Sequence, residues 1–360
     1  LVGLSLLART DNLLLFGPAL AVAFFRHGQW RRGIPLVLAG MAPLLAWHAF
    51  SIVYYGIPYP NTALAKLNTG IPAGELAQQG WRYLANSLRL DPLTLSLTVC
   101  GVAAAVVRRR ARSIALAAGV CLYVAYVVRI GGDFMSGRFL SAPLFLSVAL
   151  LAEIEWSTVR WRAPAALAAL AALGFAAPYP TVLCGSRYGM RLSDVLDASG
   201  IADERRYYFA LSGMFCGQPG WSRPLAETWR PGRELRDGGV PLTVEGAVGF
   251  IGYTAGPGVH IVDYHALGDP LLSRLPAVQH DPLSEAFVNT FKAHPERRAW
   301  RPGHFLRSIP SGYLRTLATG TNSIEDPAIA RLYNDTLRLT RGRIWDAQRL
   351  ATIFRLIARG

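Results

Sequence analysis

Residues 129–140, RIGGDFMSGRFL, set an aspartate between two arginines and beside a pair of glycines, with apolar runs on both sides. An ionisable group close to membrane depth is expensive to keep and marks function by default. Arg129 and Arg138 can pair with Asp133, or one of them can hold a phosphate through its planar fork. The glycines allow backbone to approach a ligand without side-chain obstruction. The competing reading is an interfacial salt bridge that pins two helices, and the residues alone leave both open.

Four further stretches carry polar groups of the same kind. In YYGIPYPNTALAKLNTG (54–70), Pro58 and Pro60 impose an extended turn that presents Asn61, Thr62 and Lys66, while Tyr54, Tyr55 and Tyr59 suit a membrane interface. Lys66 is one of two lysines in a chain dominated by arginine, and a point charge on a flexible stem suits a phosphate. The corner Arg9-Thr10-Asp11-Asn12 reads either as a capping turn or as an anion-binding Arg with a second carboxylate. Asp263 and His265 alternate with Val262 and Tyr264, so on a strand they share a face and form a carboxylate–imidazole pair fit for acid–base work. WRPGHFLRSIPSGY (300–313) interleaves aromatic and basic residues with turn formers, a composition shared by carbohydrate grooves and ordinary surface loops.

The elements that must position these groups are mostly apolar. Of 360 residues, 52% are hydrophobic and 17% charged, against roughly 25% charged in soluble domains. Apolar runs at 1–8, 13–25, 34–54, 93–107, 114–128, 139–154 and the Ala-rich 163–177 indicate an α-helical polytopic membrane domain over residues 1–177. Of these, 34–54 is the clearest span, and several are shorter than the roughly 20 residues of a straight crossing. The net charge of +14 is no nucleic-acid footprint, because much of it sits in the short connectors 26–33, 108–113 and 157–162. Arginine-dense connectors face the cytoplasm, so the corner 9–12, the loops 56–92 and 129–138, and everything after 178 face outside. From 178 to 360, prolines, glycines and β-branched segments replace the apolar runs, which predicts a mixed α/β soluble extracytoplasmic domain. There 244–256 and 259–270 read as strands followed by turns, and DPAIARLYNDTLRLT and IWDAQRLATIFRLIA read as amphipathic helices. The last of these is basic and suits either its own domain or lipid headgroups. Cys100 and Cys121 fall in spans, while Cys184 and Cys216 fall outside, where an oxidising compartment permits a disulfide between them. No Cys/His spacing resembles a zinc site. Leu1 already reads as the tail of an apolar helix, so a truncated chain is expected.

Taken together, RTDN (9–12), YPNTALAK (59–66), GGDFMSGR (131–138), ALGDPLLSRLP (266–276) and WRPGHFLR (300–307) resemble the GT-C superfamily of membrane glycosyltransferases. Within it the chain is most similar to the terminal β-arabinofuranosyltransferase family of actinobacterial cell walls. The resemblance implies a GT-C-like helical core at the bacterial cytoplasmic membrane and a polyprenyl-phosphate-linked sugar donor. It further implies transfer to a cell-envelope glycan on the outer face, with the essential aspartate of the first outside loop expected upstream of Leu1. On this resemblance Asp133 and Asp11 are the candidate catalytic carboxylates, and Arg9, Lys66, Arg129 and Arg138 hold the donor phosphate. Tyr59, Asn61, Asp263, His265 and His304 are the candidate substrate contacts. No cofactor is implied, and a divalent cation stays open. A glycan ligase or polymerase using a polyprenyl-pyrophosphate carrier, and a transporter or flippase, are the alternative readings.

Overall fold

The computed structural model describes residues 2–26, 30–155, 162–180, 188, 196–212, 222–246, 248–279 and 300–358. Its elements run α1 (Val2–Ala8), α2 (Asn12–Arg26), α3 (Trp30–Tyr55), α4 (Asn61–Leu67), α5 (Ala73–Leu90), α6 (Pro92–Arg108), α7 (Ala111–Arg129), α8 (Ser141–Ala152) and α9 (Arg162–Phe175). They continue with α10 (Glu204–Ser212), α11 (Ser222–Asp237), β1 (Leu242–Glu245), α12 (Val248–Ala255), β2 (His260–Asp263), β3 (Ala277–Val278) and β4 (Leu306–Arg307). Helices α13 (Tyr313–Thr319), α14 (Pro327–Arg341) and α15 (Ala347–Ala358) complete the order. Two compact units result, each discontinuous in sequence: Leu1–Trp47 with Pro72–Gly217, and His48–Ile71 with Gln218–Gly360.

Every apolar run read from the sequence forms a helix. Gly33–Tyr55 and Ala111–Arg129 are each long and apolar enough to cross a membrane, and α5 with α6, which meet at 107°, make a third crossing if taken as one broken span. Residues 12–25, 138–152 and 164–175 lie in shorter apolar helices. The expected loop 56–92 is instead largely helical, as α4 and α5. Helix α5 buries Gln79, Gly80, Tyr83, Asn86 and Ser87, so its inner face is largely polar and carries no apolar run to announce it.

In the first unit α2 runs antiparallel to α7, with Leu15 beside Gly119 near the middle and Asp11 beside Tyr123 at one end. A Cβ on Gly119 would overlap the Leu15 carbonyl, so the missing side chain is what lets these helices close. Leu15, Tyr83, Val120, Tyr123, Val127, Leu140, Leu146 and Ile201 form the core. At one end of the bundle Arg108 donates to the Glu153 carbonyl and Ser113 Oγ donates to Glu153 Oε2 at 2.9 Å. The corner 9–12 and the loop 131–139 share the opposite end.

The second unit pairs β1 with β2 in parallel, Leu242 opposite His260 through Glu245 opposite Asp263. Parallel neighbours need a crossover, and α12 supplies it, so 248–255 is helix where a strand was expected. The antiparallel pair β3–β4 adds a second small sheet. The core gathers Ala65, Val244, Val262, Tyr264, Leu271, Leu272, Ile309, Tyr313, Ile324 and Tyr333. Both amphipathic helices near the end form as read. Pro327 opens α14 behind Asp326, whose carboxylate accepts from the amides of Ala328 and Ile329.

Candidate functional site

At the end of the span α7, Gly131 (φ 87°) and Gly132 (φ 75°) turn the chain back, their amides donating to Val128 and Val127 carbonyls. A side chain at Gly132 would run into the Tyr83 ring. This turn drives Asp133 inward, to 1% exposure, where Arg138 pairs with it: Nη2 donates to Oδ1 at 2.9 Å and Nε lies 2.6 Å from Oδ2. Arg129 does not share the carboxylate. It sits exposed on the last turn of α7, without a hydrogen bond or ion pair among the described residues.

The corner 9–12 repeats the device. Arg9 donates to Asp11 Oδ1 at 3.1 Å through Nε and to Oδ2 at 2.5 Å through Nη2, and the Tyr123 hydroxyl donates to the same Oδ2 at 3.0 Å. Asp11 therefore binds its arginine rather than capping α2. The two arginines meet at one ring: the guanidinium carbons of Arg9 and Arg138 lie 4.8 and 5.6 Å from the centre of Phe139. Their carboxylates lie inward, Asp11 at 15% and Asp133 at 1%, while the arginine side chains are 40% and 36% exposed. What this end of the bundle offers a ligand is two oriented guanidinium groups, with the negative charge behind them.

Groups that the motif reading missed hold this arrangement. Tyr83 Oη accepts from the Phe139 amide at 3.1 Å, fixing the ring between the arginines. Ser136 Oγ donates to Asn86 Oδ1 at 2.7 Å, and Asn86 Nδ2 donates to Asp197 Oδ2 at 2.7 Å. Residues 134–136 pair with Ala202, whose amide donates to the Phe134 carbonyl at 2.6 Å. Polar residues spaced along α5, Gln79, Asn86 and Ser87, were the sequence signal, hidden because a polar inner face looks like a solvated one.

In the second unit the predicted contacts have other duties. Asn61 is a brace: its amide nitrogen lies 3.2 Å from each of the Ala266, Leu267 and Asp269 carbonyls, and its Oδ1 accepts from Ser273 Oγ at 2.8 Å. Strand β2 ends at Asp263, so the alternation that was to align Asp263 with His265 stops there. Asp263 Oδ1 and Oδ2 accept from the amides of His265 and Gly268, both at 2.9 Å, and organise the turn rather than serve an imidazole. Burial pushes the Asp263 carboxyl up, against the pull of those amides. The His265 ring instead stacks on that of His304, another of the candidate substrate contacts, at 4.8 Å with 21° between planes. Burial, with Arg301 adding like-sign charge, pushes His265 down to about 3, so it is neutral at physiological pH. Tyr59 is exposed and Lys66 half-buried on α4. Cys184 and Cys216 lie outside the described residues, and Cys100 and Cys121 are unpaired thiols. Among the described residues no three His, Cys, Asp or Glu side chains are grouped to hold a metal ion.

No protein-family model matches the chain, and no solved structure matches it. Two curated proteins do, both named terminal β-(1→2)-arabinofuranosyltransferase. The one from Mycobacterium tuberculosis is 31% identical over 249 residues, covering 59% of this chain and 38% of that protein. The one from Corynebacterium glutamicum is 29% identical over 161 residues, covering 40% of this chain and 23% of that protein. The chain thus spans well under half the length of the curated relatives it matches. The similarity bears out the resemblance to terminal β-arabinofuranosyltransferases read from the motifs.

Proposed function

We propose that the chain is part of a membrane glycosyltransferase of GT-C type, which moves a sugar from a polyprenyl-phosphate donor to a cell-envelope glycan at the outer face of the cytoplasmic membrane. Arabinofuranose is the sugar suggested by the names of its relatives. The observation that carries the reading is the pair Arg9 and Arg138, set against one face-forming ring and each held by its own inward carboxylate. The pair stands where a candidate span ends, which suits a phosphate whose prenyl tail stays in the bilayer.

The chemistry follows from where charge develops. The bond between the anomeric carbon and the phosphate oxygen breaks with its electron pair going to the phosphate, and the sugar passes through an oxocarbenium-like state. Guanidinium groups already oriented toward the departing phosphate stabilise that charge without reorganising. The acceptor hydroxyl bonds to the anomeric carbon and loses its proton to a base outside this cluster, since Asp11 and Asp133 are both committed to arginines. In this reading the two aspartates are positioning residues rather than the catalytic carboxylates expected from the motifs.

The test is transfer by the intact protein in membranes supplied with radiolabelled polyprenyl-phosphate sugars and a glycan acceptor. Arg138→Ala and Arg9→Ala are expected to cut kcat/KM for the donor by about a hundredfold, the scale of losing one charge-stabilising group. Asp133→Asn is expected to approach that loss, with Arg138→Lys recovering less than half of it because a lysine cannot reproduce the fork. Absence of transfer from every polyprenyl-phosphate donor, with transfer of whole glycans from a pyrophosphate carrier, would move the protein to the ligase class.

A further inference from the structure

Helix α15 has three sides rather than two. Arg349, Thr352 and Ile353 form the buried side. The Arg349 guanidinium donates to the carbonyls of Val53 and Tyr54 at 2.7 Å each, filling the acceptors left open where α3 ends. A Cβ on Gly56, one residue past α3, would meet Leu339 at 3.1 Å and Ile353 at 3.4 Å, so the contact is close along this whole turn. Helix α15 is thereby fixed to the last turn of a helix whose residues 33–55 are long and apolar enough to cross a membrane.

The second side, Leu350, Phe354 and Ile357 at four- and three-residue spacing, is apolar and opens outward along its length, from half-buried Leu350 to Phe354 at 68% and Ile357 at 40% exposure. Trp345, in the turn leading into α15, is 77% exposed. The third side is a narrow polar ridge of Gln348 and Arg355, the latter bonded to Asp335 at 2.7 Å. A helix that merely covered its own domain would carry polar residues on all of its outer surface. This one carries a second apolar face, and the turn of α3 whose carbonyls Arg349 holds also bears the exposed and mutually packed rings of Phe50, Tyr54 and Tyr55. Rings of that kind at a span's end mark the level of the lipid headgroups.

We propose that α15 is a membrane-interface helix, its Leu350–Phe354–Ile357 face and Trp345 seated among headgroups and upper acyl carbons at the C-terminal end of α3. The occupant is lipid rather than a second copy of the chain, because Arg349 ties α15 to the end of a helix long and apolar enough to cross a membrane, where Phe50, Tyr54 and Tyr55 are exposed. Arg341 and Arg343, exposed just before it, meet headgroup phosphates.

The experiment places nitroxide labels on Phe354→Cys, Ile357→Cys and Gln348→Cys in the intact protein with its native cysteines replaced, reconstituted in phosphatidylcholine vesicles containing phosphatidylglycerol. Relaxation by oxygen is compared with relaxation by a water-soluble nickel chelate. The expected result is an oxygen-to-nickel accessibility ratio several-fold higher at 354 and 357 than at 348. Equal ratios at all three positions would overturn the proposal, and so would immobile labels at 354 and 357 shielded from both reagents, which would mean protein covers the face. Trp345 gives a label-free second reading: quenching by brominated acyl chains is expected to fall in Trp345→Phe, and unchanged quenching counts against interfacial seating.

Discussion

Both carboxylates of the cluster are spent on guanidinium groups, and the geometry explains why neither is idle. An ion pair with one partner almost wholly buried gains little net stability over an apolar pair, but losing one member strands the other charge. The arrangement fixes the direction in which Arg138 points, and direction is what a phosphate site needs. His265 illustrates the opposite use of burial, since it is held neutral. In the unfolded chain it takes a proton near its ordinary 6.5, whereas in the folded unit it waits until about 3. Above pH 6.5 both states are neutral and nothing is lost. As pH falls below that value the unfolded state binds a proton the folded state refuses, so stability declines by about 1.4 kcal/mol per pH unit. Asp263 and Asp269, both pushed up by burial, act in the opposite sense as pH approaches their raised values. The window in which His265 dominates this turn is therefore the upper part of the range below 6.5. The drop in melting temperature between pH 7.5 and 5.5, measured in detergent, is expected to be smaller in His265→Asn than in the parent. An identical drop in both would show that His265 protonates freely when folded.

At the level of elements, the loop after α7 is built by two glycines doing different things. Gly132 has φ +75° and no room, because a Cβ there meets the Tyr83 ring, whereas Gly137 has φ +72° and open space around it. Alanine at 137 costs only the left-handed backbone, about 1 kcal/mol. Alanine at 132 costs that and also pushes Tyr83 off the Phe139 amide, so its loss in stability is expected to be at least twice as large. Hydrogen exchange at Gly131 and Gly132, whose amides end α7, is expected to speed up in Gly132→Ala and stay near the parent rate in Gly137→Ala. These positions also show what the chain makes legible. Apolar runs announced α3, α6 and α7 because lipid-facing helices need no polar pattern, and the three- and four-residue spacing announced α14 and α15. The Gly-Gly-Asp turn announced a special loop but not its partner, since Tyr83 lies on α5, whose polar inner face reads like a solvated surface. Asn61 misled for a related reason: its carbonyl acceptors lie over two hundred residues away, and no local spacing records them. Asp263 misled because aspartate ends strands as readily as it sits on them, and here its oxygens collect the amides of the turn that follows.

Across the whole molecule the sign and placement of charge divide the first unit's bundle into two ends. One carries a dense arginine connector: exposed Arg109, Arg110 and Arg112 beside half-buried Arg108, which is bonded to Glu153. The other carries Arg9 and Arg138, the same residue type, but each tied to an inward carboxylate and gathered on one ring. Arginine-dense short connectors hold a bundle's end in the cytoplasm, and the end with the sparser arginines, Arg9 and Arg138, is the one left to face outside. That difference predicts an orientation: the corner 9–12 and the loop 131–138 outside, the connector 108–113 inside. Cysteine at Thr10 and cysteine at Arg112, each exposed and each introduced alone into a protein lacking its native thiols, read it directly. In intact cells a membrane-impermeant maleimide is expected to label Thr10→Cys, and to label Arg112→Cys only after the membrane is permeabilised. The reverse pattern would put the two guanidinium groups on the cytoplasmic face. A nucleotide-activated sugar would then be within reach of the site, and the reason for a lipid-linked donor would be gone even if transfer itself were observed.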